Sequence, residues 1–481
     1  MTLRIKFKTR QTVSRRLEAL NFPTRELPAA MLESASGLED TGAPKLLAFI
    51  QGIDQHPRVM EDSEVETLGD IFTQNILLKG PIPHTLQELI NAIESMAAPN
   101  ALALRKMFLV AEGGQFHINN PKFELNARIV FTWQKSNSDP PDVMLSTVPV
   151  LEDDESLLQL IAWSQKEQAF HFFERKNNFW AWAGNSFHAL NPLSRGKGPF
   201  DSHMNGALVM KELKLPWPHW HSQNSTISRA NFPADSEFNT KPPFAVISGA
   251  EELEAIVKTG VRRFLKSRIQ SDIKNSTFTS LITYLRQITG PTTVNLTSSG
   301  TEFHRAEKVE VLLPSTFFFD LDGLEFALSE IDVFNEAIPS EKLEVSGALY
   351  KKKALQLNMN ITSEEGIKLK GDTHFCFLVP ERAFEDIEAA KQLVEQKIIS
   401  AKILACILLV DFSNPVDSDK RSELLQYCPE SVPMQAGGLD ETWVQKITAA
   451  NKGEGTPEAE FLSYWNDPNL VDRAGKELRT Y

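Results

Sequence analysis

Leu157-Leu158-Gln159-Leu160-Ile161-Ala162-Trp163, Ala169-Phe170-His171-Phe172-Phe173-Glu174 and Phe179-Trp180-Ala181-Trp182-Ala183 are three apolar, aromatic-rich runs joined by short polar segments at Gln165–Glu167 and Lys176–Asn178. Runs of that length with polar turns between them predict three antiparallel strands of a meander. Side chains alternate along a strand, so Phe170 and Phe172 share one face, as do Trp180 and Trp182. Upstream, Phe108–Val110, Ala127–Trp133 and Val143–Val148 are separated by Gly-Gly, Asn-Asn-Pro and Asp-Pro-Pro clusters and extend the same pattern.

The flanks have a different period. From about 24 to 105 the spacing is helical: Lys45–Ile53 carries Leu46, Leu47, Phe49 and Ile50, and Thr85-x-x-Glu88 forms a capping box ahead of Leu89, Ile90, Ile93 and Met96. Glu61–Glu66 is expected to be a solvated acidic turn. A polar, proline-bearing connection from Ser222 to Pro243 reads as a linker or long loop. Beyond it, Ser248-x-x-Glu251 opens a helix whose Leu253, Ile256, Val257, Val261, Phe264, Leu265 and Ile269 form a buried face. Arg262, Arg263, Lys266 and Arg268 crowd its other side, the usual pattern of a solvated face.

Thr277–Thr289 predicts a second helix, ended by Gly290-Pro291. Glu381–Lys402 predicts a third, running into Ile403–Phe412, an almost unbroken apolar strand suited to the centre of a sheet. Asp411–Asp419 and the tail from Asn451 are expected to be loop-like. The fold class is therefore α+β, in three parts: an N-terminal helical region over 1–105, an antiparallel aromatic-rich sheet over 106–240, and a C-terminal mixed α/β region over 241–481 with an irregular tail.

Composition narrows the function. With 481 residues, 42% hydrophobic and 23% charged, the chain is long enough for two or three cores. The net charge of −13 repels phosphate backbones, and no basic patch offsets it, which excludes a general nucleic-acid role. The longest wholly apolar run, Ile403–Val410, is far short of the roughly 18 to 20 residues of a membrane span, so a soluble, cytoplasmic protein is expected. Cys376, Cys406 and Cys428 are widely spaced and lack a Cys-x-x-Cys, against a disulfide framework, a zinc ribbon or covalent haem. Arg4, Lys6 and Lys8 alternate with Leu3, Ile5 and Phe7 as in a half-buried strand rather than a presequence.

The densest chemistry lies between Gly196 and Ser222, which holds three of the ten histidines and two of the eight tryptophans. Pro216 and Pro218 bias 216–221 toward an extended chain. Trp217, His219 and His221 then share a face, with the two imidazoles roughly 6.6 Å apart along the backbone. His203 follows Asp201 and Ser202, either of which suits a helix cap. Three imidazoles with an open position hold catalytic zinc, and two with a carboxylate suit non-haem iron. The expected site is thus a transition metal or haem ligated by His203, His219 and His221. In it Asp201 or Glu212 assists proton transfer, and Trp180, Trp182 and Trp217 wall a pocket for a small organic molecule, in oxidoreductase or Lewis-acid chemistry. Of the scattered histidines His117, His171, His188, His304 and His374, His188 closely follows the aromatic strands and is the first to weigh.

Thr316-Phe317-Phe318-Phe319-Asp320-Leu321-Asp322-Gly323-Leu324 is the sharpest rival: an apolar run ending in Asp-x-Asp-Gly resembles the nucleophile motif of haloacid-dehalogenase-like hydrolases. The resemblance covers about eight residues and implies a magnesium-dependent phosphohydrolase, with Asp320 as nucleophile and Asp322 as acid and base. Leu324 stands where that family has threonine. Ser413 and Lys420 would be the downstream partners, and a second acidic pair for the metal is missing. Asp320 and Asp322 also suit a plain strand-to-helix junction. Ser298-Ser299-Gly300-Thr301 offers a small polar loop for phosphate without a Walker lysine. No Gly-x-Ser-x-Gly, His-Glu-x-x-His or dinucleotide fingerprint occurs. A third class, a non-catalytic binding or accessory protein, needs the histidines only as packing.

Overall fold

The computed structural model describes residues 46–98, 100–111, 127–153, 156, 158–176, 179–194, 197–201, 203, 206, 208, 232–248, 250–289, 293–299, 310–313, 321–334, 343–346, 375–381, 384–412, 418–434 and 438–480. Its centre is an eight-stranded sheet. Strands β3 (Leu104–Ala111), β4 (Ala127–Gln134), β5 (Val143–Thr147), β6 (Leu158–Ser164), β7 (Ala169–Lys176) and β8 (Phe179–Asn185) form a continuous antiparallel meander. β1 (Leu47–Ala48) adds to β8 in parallel, and β2 (Arg58–Val59) closes that edge. The strands expected in the meander are all present, and the chain is α+β.

Both faces of this antiparallel sheet are covered, so its strands are apolar almost throughout instead of alternating with polar residues. On one face Ile129, Phe131, Trp133, Leu160, Phe173 and Trp180 pack against the residues of α1 (Asp62–Leu68), a π-helical turn (Thr73–Leu77) and α2 (Leu86–Glu94). On the other, Phe108, Val130, Met144, Trp163, Phe170 and Phe172 meet α3 (Ala250–Ser271) and the helices that follow it. The cross-strand register Leu160↔Phe173 and Ile161↔Phe172 keeps the two sets on opposite faces. Thr85 caps α2 as its sequence predicts: its Oγ1 accepts from the Glu88 N–H at 3.2 Å, and Glu88 Oε2 accepts from the Thr85 N–H at 3.2 Å.

Several elements depart from the sequence reading. Lys45–Ile53 is not helical in its described part, because Leu47 and Ala48 find backbone partners on the edge strand β8, and the Phe49 N–H donates to Trp182 O. Pairing with a sheet edge there outweighs helical spacing. Glu61–Glu66 is not a solvated turn but the start of α1: the Glu61 N–H donates to Glu64 Oε2, and Val65 and Leu68 are buried. The connection before Pro243 is no linker over its described part. It forms short helical turns at Glu237–Thr240 and Pro242–Phe244 that bury Phe232, Phe238 and Phe244 in the core.

Ile403–Phe412 is not a strand. Ser400 Oγ accepts from the Ile403 N–H, and Ala401–Leu409 is a helix buried on every side among its neighbours. The tail is not irregular either. Pro457–Trp465 and Leu470–Thr480 are helices, the first capped by Thr456, and they bury Phe461, Leu470 and Ala474. Thr277–Phe278 is a short strand, and its helix begins at Leu281.

The buried face of α3 is as its sequence predicts, with all seven apolar positions buried. Its basic side is not simply solvated. Arg263 lies 4.1 Å over the Trp163 ring and donates to Asp142 Oδ1 at 2.8 Å, and the buried Arg268 sits 4.4 Å over Tyr284. Arg262 pairs with Glu388 and Glu395 but is 56% exposed. Urea denaturation should separate these two neighbours. Arg263→Met, which strands Asp142, is expected to cost about 1.5–3 kcal/mol, and Arg262→Met less than about 1 kcal/mol.

Candidate functional site

A connected set of polar side chains sits where the β6–β7 turn meets the end of β8. The turn is pinned by Ser164, whose Oγ donates to Leu68 O at 2.6 Å and accepts from the Glu167 N–H at 3.0 Å. Asp70 bridges to Ser164, and its carboxylate accepts from the Thr73 N–H at 3.0 Å and from Thr73 Oγ1 at 2.8 Å. Full burial pushes the Asp70 carboxyl above its ordinary range, against the pull of His171 and the Thr73 hydrogen bonds.

His171 is wholly buried in β7. Trp182 Nε1–H donates to its Nδ1 at 3.0 Å, which places the ring proton on Nε2, and Nε2 lies 2.9 Å from Glu167 Oε2. That contact is close without being an in-line hydrogen bond. Burial alone would raise the Glu167 carboxyl. The adjacent His171 ring and the Asn185 side-chain amide, which donates to Oε2 at 2.8 Å, outweigh it and hold Glu167 below the usual carboxylate range.

Asn185 links this buried pair to His188. A bulge in β8, between its pairs with His171 and Phe173, sets Ala183 and Gly184 opposite Phe172 alone and brings Asn185 back into the ladder opposite His171. Asn185 Oδ1 accepts from the N–H groups of Phe187 and His188 and lies 2.8 Å from His188 Nδ1. His188 stands edge-on to Trp182, with ring centroids 5.6 Å apart. It is half-buried, and its Nε2 has no hydrogen-bond partner among the described residues. Burial lowers the His188 pKa below the ordinary 6.5, partly opposed by Glu167 and Asp54, so the ring is neutral at pH 7. The arrangement therefore leaves one uncharged imidazole nitrogen unpartnered among the described residues, on a ring backed by an amide, a carboxylate and a second imidazole.

The residues expected to form a site are placed as follows. Trp180 is buried in the core, edge-on to Phe72 at 4.8 Å, with its Nε1–H donated to Pro83 O at 2.8 Å. Trp182 stacks on His171. His203 lies against Phe172 with ring centroids 5.3 Å apart, and Asp201 ends a 3-10 turn, Gly198–Asp201. Glu212, Trp217, His219 and His221 lie outside the described residues, as do the extended run expected at 216–221 and the convergence of the three imidazoles. Among the described residues no group of three or more His, Cys, Asp or Glu is placed to hold a metal ion.

For the rival motif, Asp322 belongs to the helix Leu321–Ile331, while Asp320 and Ser413 lie outside the described residues. Lys420 pairs with Glu460 at 3.1 Å. Ser298 and Ser299 are ladder residues of the strand Thr293–Ser299, paired with Phe375–Glu381, rather than part of a loop. Burial pushes the Cys406 and Cys428 thiols up to about 12, which leaves both unreactive at neutral pH. Among the described residues no helix is long and apolar enough to cross a membrane.

Glu167 and Asn185 were not singled out in the sequence, and His171 stood there only as one scattered histidine. Ala162 pairs with His171, and His171 with Asn185, so the strand register brings them together; neither residue type nor spacing announces it. No family model, no curated protein and no solved structure matches the chain.

Proposed function

We propose that the chain acts on a small organic molecule by proton transfer at His188. The observation that carries this reading is the asymmetry of that half-buried ring: Nδ1 is engaged by Asn185, while Nε2 is unpartnered among the described residues. A neutral imidazole near its titration range is the commonest biological acid–base group. Glu167 and His171 act behind it as positioning residues, through Asn185.

A test ester reads the availability of the Nε2 lone pair, on which that proton transfer depends, without knowledge of the natural substrate. With p-nitrophenyl acetate, Nε2 attacks the acetyl carbonyl, p-nitrophenolate leaves, and water then cleaves the acetyl-imidazole. His188→Gln is expected to remove most of the protein-dependent rate. Because the lowered pKa means the ring loses its proton early as pH rises, the lost component should climb with pH through a midpoint below 6.5 and stay level above it. Equal rates in the two proteins would overturn the proposal and favour a binding or accessory role.

A second reading is a transition metal or haem held by His203, His219 and His221, acting by oxidative or Lewis-acid chemistry. Of its three imidazoles, His203 lies against Phe172, and His219 and His221 lie outside the described residues. Elemental analysis and a visible spectrum of the purified protein test it. A stoichiometric metal or a Soret band lost in His203→Ala supports it, and absence of both removes it.

A further inference from the structure

Resting on the reading of His188 as an acid–base group, we propose that Asn185 leaves His188 free to exchange tautomers, so that Nε2 serves both as proton acceptor and as hydrogen-bond donor to a bound molecule. Two contacts to the same nitrogen carry this. The Asn185 backbone N–H points at His188 Nδ1 at 3.1 Å, which needs Nδ1 as acceptor and the ring proton on Nε2. The Asn185 side-chain Oδ1 lies 2.8 Å from the same Nδ1, which needs a proton on Nδ1 and leaves Nε2 with its lone pair. One residue thus offers a donor and an acceptor to one ring atom, and either tautomer keeps a hydrogen bond.

The orientation of the amide is fixed independently of His188. Its Nδ2 donates to Glu167 Oε2 at 2.8 Å, and its Oδ1 accepts from the Phe187 N–H at 3.1 Å. A flipped amide would put an NH2 group against that N–H and an oxygen against a carboxylate, losing both bonds. Oδ1 therefore stays on the His188 side. This differs from the Trp182–His171 pair next to it, where an indole N–H that can only donate holds Nδ1 as an acceptor and selects one tautomer. The two histidines are built for different roles: His171 is locked and His188 is switchable.

The chemistry that fits is a reaction in which one group must first hold a substrate oxygen by a hydrogen bond and then take a proton, or the reverse. Hydrolysis of an activated carbonyl and proton shift next to a carbonyl both have this form. When Nε2 takes a proton, the ring becomes imidazolium with Nδ1–H on Asn185 Oδ1. Return of the Nε2 proton to the product restores the starting ring, so the step balances without a co-reactant.

Two-bond 1H–15N spectra of the histidine-labelled full chain at pH 8, with His188 assigned by loss of its signals in His188→Gln, read the tautomers directly. Both nitrogens of His188 are expected to show averaged shifts, and those of His171 a single Nε2–H form. Asn185→Asp, an acceptor-only side chain, should raise the His188 ratio of Nδ1–H to Nε2–H about tenfold or more. Asn185→Ala, which keeps only the backbone donor, should move it the other way. A single His188 tautomer in the unsubstituted chain overturns the inference even if neither variant folds, and so do shifts in the same direction in both variants. If His188 drives ester cleavage yet shows one tautomer, only this inference fails. If it is inert to the ester, the reading beneath it fails as well.

Discussion

Trp180→Ala is expected to lower the stability of the chain by about 3–5 kcal/mol, the range for removing a fully buried tryptophan. The ring is wholly buried, packs edge-on to Phe72 at 4.8 Å, and Phe72 in turn packs on Phe173 at 5.1 Å, so this indole ties β8 to the helical layer on that face of the sheet. Its loss also leaves Pro83 O without its donor. Trp180→Phe keeps most of the apolar contact and should cost less, mainly the hydrogen bond, about 1–2 kcal/mol. Urea titration of the three proteins checks both values. Because Trp180 and Phe72 touch, the double change Trp180→Ala with Phe72→Ala should cost less than the sum of the single changes.

Gly206→Ala is expected to be comparably damaging, from the backbone rather than the core. Gly206 has φ +76°, and a Cβ there would lie 2.2 Å from Ser186 O and 2.8 Å from Ser186 Cα, so the main chain itself must move. That movement breaks the 2.6 Å bond from Ser186 Oγ to Gly206 O, which fastens the segment after β8. The left-handed backbone costs about 1–2 kcal/mol, and the lost buried hydrogen bond about 1–3 kcal/mol more. Gly453→Ala is the control: its φ is also positive, at +105°, but no atom lies within 4 Å of the added Cβ, so only the conformational cost should remain. Thermal melts of the two variants should differ accordingly. Since Ser186 is two residues from His188, Gly206→Ala should also alter the reactivity of that ring.

What could be read from the sequence was local. The meander strands follow from aromatic runs cut by polar turns, α2 from Thr85 and Glu88, and the buried face of α3 from its spacing. An apolar run with no polar interruption carries no such signal: Ile403–Val410 has neither a strand period nor a helical one, and only Ser400 as N-cap distinguishes the helix. The helix after Thr456-Pro457 carried its own signal, an N-cap followed by proline at the first turn, hidden by the Gly-rich run before it. The candidate site was legible in one residue. His188 stood out by its place after the aromatic strands, whereas Asp70, Glu167, His171 and Asn185 come together only through the pairing of β6, β7 and β8 and the turn beneath them.

The charge of the site follows from the same packing. Burial disfavours the protonated His188 ring, and stability tied to it is fully present above pH 6.5 and falls as pH drops toward the lower folded value. Glu167 adds a second loss further down in pH, since its folded pKa lies below 4.5. These two effects act in one direction, and the buried Asp70 carboxyl, raised above its ordinary range, acts against them, since its contribution is lost as pH rises through the folded value.

The rate of carbethoxylation at each histidine of the intact chain, followed by peptide mass spectrometry across pH 5 to 8, tests acid–base availability at His188 most directly. His188 is predicted to react through Nε2 with a midpoint below 6.5, while the fully buried His171 stays unmodified. A protected His188, or a midpoint above 6.5, would contradict the account.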